Sequence, residues 1–265
     1  MKLAAGFVIA VIIAFAAYRA GSLSRSGALA AIFVGTVVFG IGGWQWAVLL
    51  LTFFITSSAL TRAFKKRKSG LSEKFSKGGQ RDAGQVFGNG GLATLFAGLT
   101  AVYPKDPRLW LACAAALAAA NADTWATELG VLNPHPPRLI TDPKKVVEQG
   151  TSGGISLAGT LAAIAGAALI GLLAGALSPG YNPWATAAII TLAGLLGSLF
   201  DSLLGATVQA IYQCPSCNKE TERYPLHTCG TPTVQIRGWK WLNNDWVNFA
   251  CGGFAVIVAL SPLIW

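Results

Sequence analysis

Charged residues are scarce in this sequence, at 12% of 265 positions, with 11 acids against 20 bases. A soluble globular domain carries roughly twice that share, so an ordinary water-soluble fold is excluded. Histidine occurs only as His135 and His227. Both fall in loops, and neither pairs with a serine or cysteine in the manner of a hydrolase. Cysteine occurs five times, which gives no even disulfide framework. The first apolar run, Leu3 to Ala17, lacks a convincing cleavage site after it, so it is expected to stay as a helix rather than leave as a signal peptide.

What fills the chain instead is hydrocarbon. Hydrophobic residues make up 53% and the mean hydropathy is +0.53, which predicts an all-α polytopic integral membrane bundle. Apolar runs bounded by charge, glycine or proline predict helices near 3–18, 27–42, 45–62, 85–103, 109–127, 155–177, 184–211 and 247–264. These make eight crossings, or seven if the second and third form one hairpin that dips and returns. Gly40, Gly42 and Gly43 mark the break between those two. The chain reads as a single membrane-embedded domain over 1–265, with a loop at 212–242 that has no apolar run to fold it.

Loop charge orients this bundle. If the loops 19–26, 62–84, 128–154 and 212–246 share one side, every basic residue except Lys2, Lys105 and Arg108 lies there. The positive-inside rule then makes the long loops cytoplasmic, puts both termini outside and favours eight crossings over seven. The net charge of +9 is explained by topology and anionic lipid before nucleic acid, which is not an expected partner.

The polar residues gather on that same face. Residues 121–130 end the fifth apolar run with Asp123 and Glu128 where hydrocarbon should continue. Such acids either sit at the water interface or meet a cation, metal or water. On an ideal helix the two point in nearly opposite directions, so they are not expected to ligate one ion together. Arg81, Gln85 and Asn89 follow i, i+4, i+8 and share a stripe, either lining a polar cleft or capping the helix at the interface. Ser198, Asp201, Ser202, Gly205 and Gln209 share a narrow face of the seventh helix. Its small residues suit close packing as well as function, whereas Asp201, inside a membrane helix, needs a partner.

Gly150, Thr151, Ser152, Gly153 and Gly154 open the sixth helix. Glycine lets backbone N–H groups approach an anion, and the helix start adds donors, so this loop is a candidate phosphate cradle. It matches neither the P-loop nor the dinucleotide spacing, and glycine-rich helix starts also occur without ligands. In the 212–242 loop, Cys214-x2-Cys217 and His227-x-Cys229 offer four ligands suited to a structural tetrahedral Zn²⁺, with free cytoplasmic thiols as the alternative. Asn244 and Asn248 add carboxamides at the same face. Carboxylates, amides and the bases Lys77 and Arg81 together are what phosphoryl transfer requires, with oxygen ligands for Mg²⁺ and cations for phosphate oxygens.

Several stretches carry a family resemblance. They are Lys77-Gly78-Gly79-Gln80-Arg81 with Asn89-Gly90-Gly91, residues 122–126 with Glu128-Leu129-Gly130, and residues 150–154. Gly197-Ser198 with residues 201–206 and Gln209, and Asn243-Asn244 with Val247-Asn248, complete the set. In their order and spacing the chain resembles the transmembrane protein 19 family, formerly a domain of unknown function, which includes the plant phytyl-phosphate kinase of tocopherol synthesis. The resemblance implies an integral membrane kinase that converts a prenyl monophosphate (phytyl, geranylgeranyl or farnesyl) to the diphosphate with a nucleoside triphosphate. It also implies that the Cys/His insert supports the fold rather than the chemistry. Combining residues and resemblance, Asp123 and Asp201 are expected to hold Mg²⁺ with Asn89 or Asn244. Lys77, Arg81, Gln85, Asn248 and the 150–154 loop would bind phosphates, and Glu128 would orient water, metal or ribose. Two other readings use the same residues, a nucleotidyl transfer to a lipid phosphate and a membrane transporter.

Overall fold

A computed structural model of the chain describes residues 2–65, 74, 78–178 and 180–261. Eight α-helices dominate these residues: α1 (Lys2–Arg19), α2 (Arg25–Val37), α3 (Trp44–Ala63), α4 (Ala83–Leu99), α5 (Arg108–Gly130), α6 (Leu157–Ala176), α7 (Pro183–Thr207) and α8 (Asn244–Leu260). A π-helical turn, Val38–Gly42, extends α2, and Gly43 at φ +94° ends it before α3. Only glycine reaches that backbone conformation readily, so the expected break falls where glycine permits it. Two small antiparallel sheets decorate the loops. One joins β1 (Arg138–Leu139) to β2 (Asp142–Val146) and β3 (Gly154–Ile155). The other joins β4 (Ile211–Cys214) to β5 (Lys219–Thr221) and β6 (Val234–Arg237).

The helices are built inside out relative to a soluble bundle. On α1 the buried stripe is Gly6, Ala10, Ala14 and Ala17, while Phe7, Ile9, Ile12 and Phe15 face outward. Large side chains outside and small ones inside suit a lipid solvent, where helices associate by close backbone approach. Five helices are long and apolar enough to cross a membrane: α1, α2 with its π turn, α3, α6 and α7. Helices α4 and α8 are shorter, at 17 residues each.

The remaining helix, α5, is the axis of the fold. It touches α3, α4, α6, α7 and α8, and every residue from 109 to 122 is buried. Because protein rather than lipid surrounds it, alanine replaces leucine along its length. The consequence is close packing. A Cβ at Gly194 would lie 2.8 Å from Ala118 Cβ, and one at Gly197 would lie 2.7 Å from Ala119 Cβ. Gly197→Leu is therefore expected to destabilise the bundle by at least roughly 1–3 kcal/mol, measured as a lower melting temperature in detergent, whereas Gly253→Ala, at a site with no neighbour within 4 Å, should leave it unchanged.

The four basic loops converge at one end. Arg62 Nη2 donates to Ala20 O at 2.6 Å, and Leu23 bridges Arg81 in parallel. Lys74 Nζ pairs with Glu148 Oε2 at 2.6 Å, and Glu222 N donates to Lys74 O at 2.9 Å. Loops that charge alone assigned to one side are thus tied together by direct bonds.

Candidate functional site

Close approach near Gly197 sets the geometry of the loop end. One turn beyond Ala119 on α5 lies Asp123, and one turn beyond Gly197 on α7 lies Asp201. The two acids therefore lie near the seam, within electrostatic reach of each other. Cys251 of α8 closes the third side, its Sγ donating to Asp201 Oδ2 at 3.4 Å. Asn244 and Asn248 share the face of α8 that carries Cys251, being seven and three residues before it, and both are half-buried. Asn243, just outside α8, caps it by accepting from Asp245 N and Trp246 N at 3.1 and 3.2 Å.

Glu128 belongs to a different neighbourhood. It is buried against α3, where Thr61 Oγ1 donates to its Oε1 at 2.8 Å. Arg81 enters the same region. Its backbone is fixed between Ser22 and Ser24, Nη1 donates to Ser58 Oγ at 2.6 Å, and the guanidinium lies 5.9 and 5.7 Å from the Phe53 and Phe54 ring centroids. Glu128 is its electrostatic counterpart. Among the described residues, ring faces and one hydroxyl hold this cation.

Beside Arg81 a narrow cavity of about 70 Å³ runs among α1, α2, α3 and α4. Its walls are apolar, including Ala14, Val34, Phe39 and Leu50, and its polar residues are Arg81, Gln85 and Asn89. The last two also stabilise α4. Gln85 completes a capping box with Asp82, whose carboxylate accepts from Gln85 N at 3.0 Å, and Asn89 Nδ2 donates to Gln85 O at 2.9 Å. Lys77 lies outside the described residues.

The 150–154 loop packs against the end of α7. Gly150 and Gly153 have φ of +78° and +85°, and a Cβ on Gly153 would lie 2.5 Å from Ala206 Cβ. Thr151 N and Gly154 N bond within the loop's own turns, to Glu148 O and Thr151 O. Ser152 Oγ donates to Gln209 Oε1 at 2.9 Å. The sixth helix starts two residues beyond β3, capped by Ser156 on Gly159 N at 3.1 Å. The loop therefore stands one turn beyond Asp201 along α7.

Three residues have contacts that the sequence did not show. Asn121 is wholly buried and saturated, donating to Gly166 O at 2.8 Å and accepting from Thr56 and Ser57, so it ties α3, α5 and α6 together. Cys251, in the apolar run of α8, touches Asp201. Glu222 comes from the insert to accept from Gln209 Nε2 at 2.9 Å. Each depends on contacts between segments far apart in the chain, which local spacing does not reveal.

Cys214, Cys217, His227 and Cys229 converge so that one ligand atom from each lies within 4.8 Å of the others. Cys214 Sγ and Cys229 Sγ are 3.6 Å apart, and His227 Nδ1 is 3.3 Å from Cys229 Sγ. A tetrahedral ion with metal–sulfur bonds of about 2.3 Å separates two thiolates by about 3.7 Å, so the donor set fits a metal. The Thr231 hydroxyl and the His227 ring hold the Cys229 thiol down to about 5, whereas Cys229 and Cys214 push Cys217 up to about 11.

A helical bundle with small residues inside, large apolar ones outside and acids, amides and an arginine at its loop end defines an integral membrane protein with a polar site at one end. The family model for "Integral membrane protein DUF92" matches residues 8–256, and the chain belongs to that family. It is 36% identical to Protein PGR of Arabidopsis thaliana, covering 91% of this chain and 89% of that one. An uncharacterized membrane protein of Methanocaldococcus jannaschii is 33% identical over 78% of this chain and 83% of its own. Protein VTE6, chloroplastic, of Arabidopsis thaliana is 28% identical over 90% of this chain and 64% of its own. No solved structure matches the chain.

Proposed function

We propose that the protein is a prenyl-phosphate kinase, transferring a phosphoryl group from a nucleoside triphosphate to a prenyl monophosphate at the cytoplasmic face of the membrane. The observation that supports this reading is the placement of Asp123 and Asp201 within electrostatic reach of each other near the α5–α7 seam, at the bundle end that also presents Arg81 and the 150–154 loop. The family resemblance supplies the substrate class, and the large apolar side chains on the outer faces of the helices leave the isoprenoid tail in lipid while its phosphate reaches the loop end.

The residues divide the work as follows. Asp123 and Asp201 offer two hard oxygen donors, and the amides of Asn244 and Asn248 on the Cys251 face of α8 offer neutral ones, a set that suits Mg²⁺, whereas Asn89 lines the cavity beside Arg81. When bound, Mg²⁺ would neutralise phosphate charge. Arg81 presents a planar fork to the lipid phosphate. An oxygen of that phosphate attacks the γ-phosphorus, the bond from γ-phosphorus to the bridging oxygen breaks, and the nucleoside diphosphate leaves with the electron pair. The acceptor is already ionised, so no strong base is required. Glu128, balancing Arg81, sets its charge and position. Cys214, Cys217, His227 Nδ1 and Cys229 would hold a structural Zn²⁺ that orders the insert.

The test is purified protein with phytyl, geranylgeranyl or farnesyl phosphate, Mg²⁺ and each nucleoside triphosphate in turn. Prenyl diphosphate and nucleoside diphosphate should accumulate together. Absence of nucleotide turnover with every acceptor, alongside solute uptake into proteoliposomes, would favour a transporter. Arg81→Lys should raise KM for the prenyl phosphate roughly 10- to 100-fold, because a point charge replaces a bidentate charged donor, with a smaller change in KM for the nucleotide.

A further inference from the structure

Gln209 is a side chain at which three separate parts of the protein meet. It is 1% exposed and sits just past the last turn of α7. Ser152 Oγ of the 150–154 loop donates to its Oε1 at 2.9 Å, and its Nε2 donates to Glu222 Oε1 of the insert, also at 2.9 Å. Its backbone is equally constrained. Gln209 N donates to Leu204 O at 2.9 Å, and Gly238, at φ +80°, packs so tightly on the Gln209 carbonyl that no Cβ would fit there.

The insert is strapped to α7 on either side of this residue. Arg237 Nη2 donates to Gly205 O at 3.0 Å, Trp239 N to Val208 O at 2.9 Å, and Ala210 N to Leu242 O at 2.9 Å. An ionised carboxylate only accepts hydrogen bonds, so Glu222 dictates which end of the amide it meets. Oε1 must then face the loop. Ser152 has one O–H, and it is spent on that oxygen.

We propose that Gln209 is a positioning residue, oriented by Glu222, that fixes the 150–154 loop against the end of α7 so that backbone N–H groups other than the internally bonded ones of Thr151 and Gly154, and not the Ser152 hydroxyl, meet the nucleotide phosphates. The proposal rests on the kinase reading for the identity of the ligand, while the loop positioning is a property of the fold itself. The Cys/His insert thereby acts on catalysis through one amide, without contributing a group that touches substrate.

The experiment uses the full-length protein in nanodiscs, as wild type, Gln209→Glu, Glu222→Gln and the double variant. Each is read by amide hydrogen exchange over residues 150–154 and by KM and kcat with ATP, CTP, GTP or UTP, whichever the wild type prefers. Gln209→Glu sets two carboxylates against each other. Exchange in the loop should rise about tenfold and KM for the nucleotide about tenfold, with kcat falling less than threefold. The double variant restores an acceptor facing Ser152 and a donor facing it from position 222, so both readouts should return to within about twofold of wild type. Unchanged loop exchange in Gln209→Glu, or a double variant as impaired as the single one, overturns the proposal. Loop exchange that rises and is rescued in a protein with no kinase turnover upholds the positioning and refutes the kinase reading instead.

Discussion

Asp201→Asn and Asp123→Asn are each expected to lower kcat for prenyl-phosphate phosphorylation by roughly 10²- to 10³-fold, the scale of losing one preorganised electrostatic group in a low-dielectric site. Neither variant should unfold. Both acids lie at the α5–α7 seam, where Asp201 is buried, and an amide keeps almost the same volume without a charge to desolvate. The variants should therefore melt at the wild-type temperature or slightly above it without Mg²⁺, and should lose whatever increase Mg²⁺ gives the wild type. Stability held in reserve at a functional site behaves this way. A structural carboxylate would show the reverse pattern, with lower melting temperature and little effect on kcat per folded molecule. Melting curves with and without Mg²⁺, beside initial rates, separate the two.

Much of this arrangement was legible in the sequence because helices obey fixed arithmetic. Asp123 and Glu128 are five residues apart, and they go to different neighbours, α7 and α3. Ser198, Asp201, Ser202, Gly205 and Gln209 fall on one stripe, and the contacts of Asp201, Gly205 and Gln209 with α8, Ser152 and the insert follow it. Helix ends were less legible, since caps and loop contacts decide them. An expected start at 85 becomes Ala83 because Asp82 and Gln85 form a capping box. The expected start at 247 becomes Asn244 because Asn243 caps α8. An expected end at 211 becomes Thr207, since Ile211–Cys214 is taken into the insert's sheet. What sequence could not give were pairings across long separations, such as Ser152 with Gln209 or Asn121 with Thr56. Nothing in local pattern distinguishes Asn121, which ties α3, α5 and α6 together, from Asn248, half-buried on the face of α8 that carries Cys251.

The second large effect concerns the insert. Cys214→Ser should reduce bound zinc from one ion per chain to none, because three ligands hold a structural ion far less well than four. For small zinc modules the metal supplies on the order of 10–16 kcal/mol of apparent folding free energy at neutral pH. Strands β5 and β6 pair with β4, Tyr212 stacks on Tyr224 with centroids 5.0 Å apart, and bonds from Glu222, Arg237 and Trp239 hold the segment to the end of α7, so the metal chiefly orders the turns that carry its ligands. Hydrogen exchange around Cys214–Cys217 and His227–Cys229 should rise steeply, while α1 to α8 stay protected. The pH dependence has a definite sign. Each thiol gives up a proton on ligation, so protons compete with the metal, and affinity falls as pH drops. Of the two, Cys217, pushed up to about 11 by its thiol neighbours, holds its proton against the metal more firmly than Cys229, held near 5 by Thr231 and His227. Metal content by mass spectrometry between pH 5 and 8 should therefore fall towards the acid end. Occupancy unaffected by Cys214→Ser would refute the four-ligand site.

The most direct measurement follows the γ-phosphorus. Purified protein in detergent is given a prenyl monophosphate, Mg²⁺ and a nucleoside triphosphate labelled at the γ-position, and products are separated by mass. Label in a prenyl diphosphate, with unlabelled nucleoside diphosphate released, is the expected result, and it should vanish with Asp123→Asn and with Asp201→Asn. Label released as pyrophosphate, with the nucleotide left on the lipid, would contradict the kinase assignment at the Asp123–Asp201 seam.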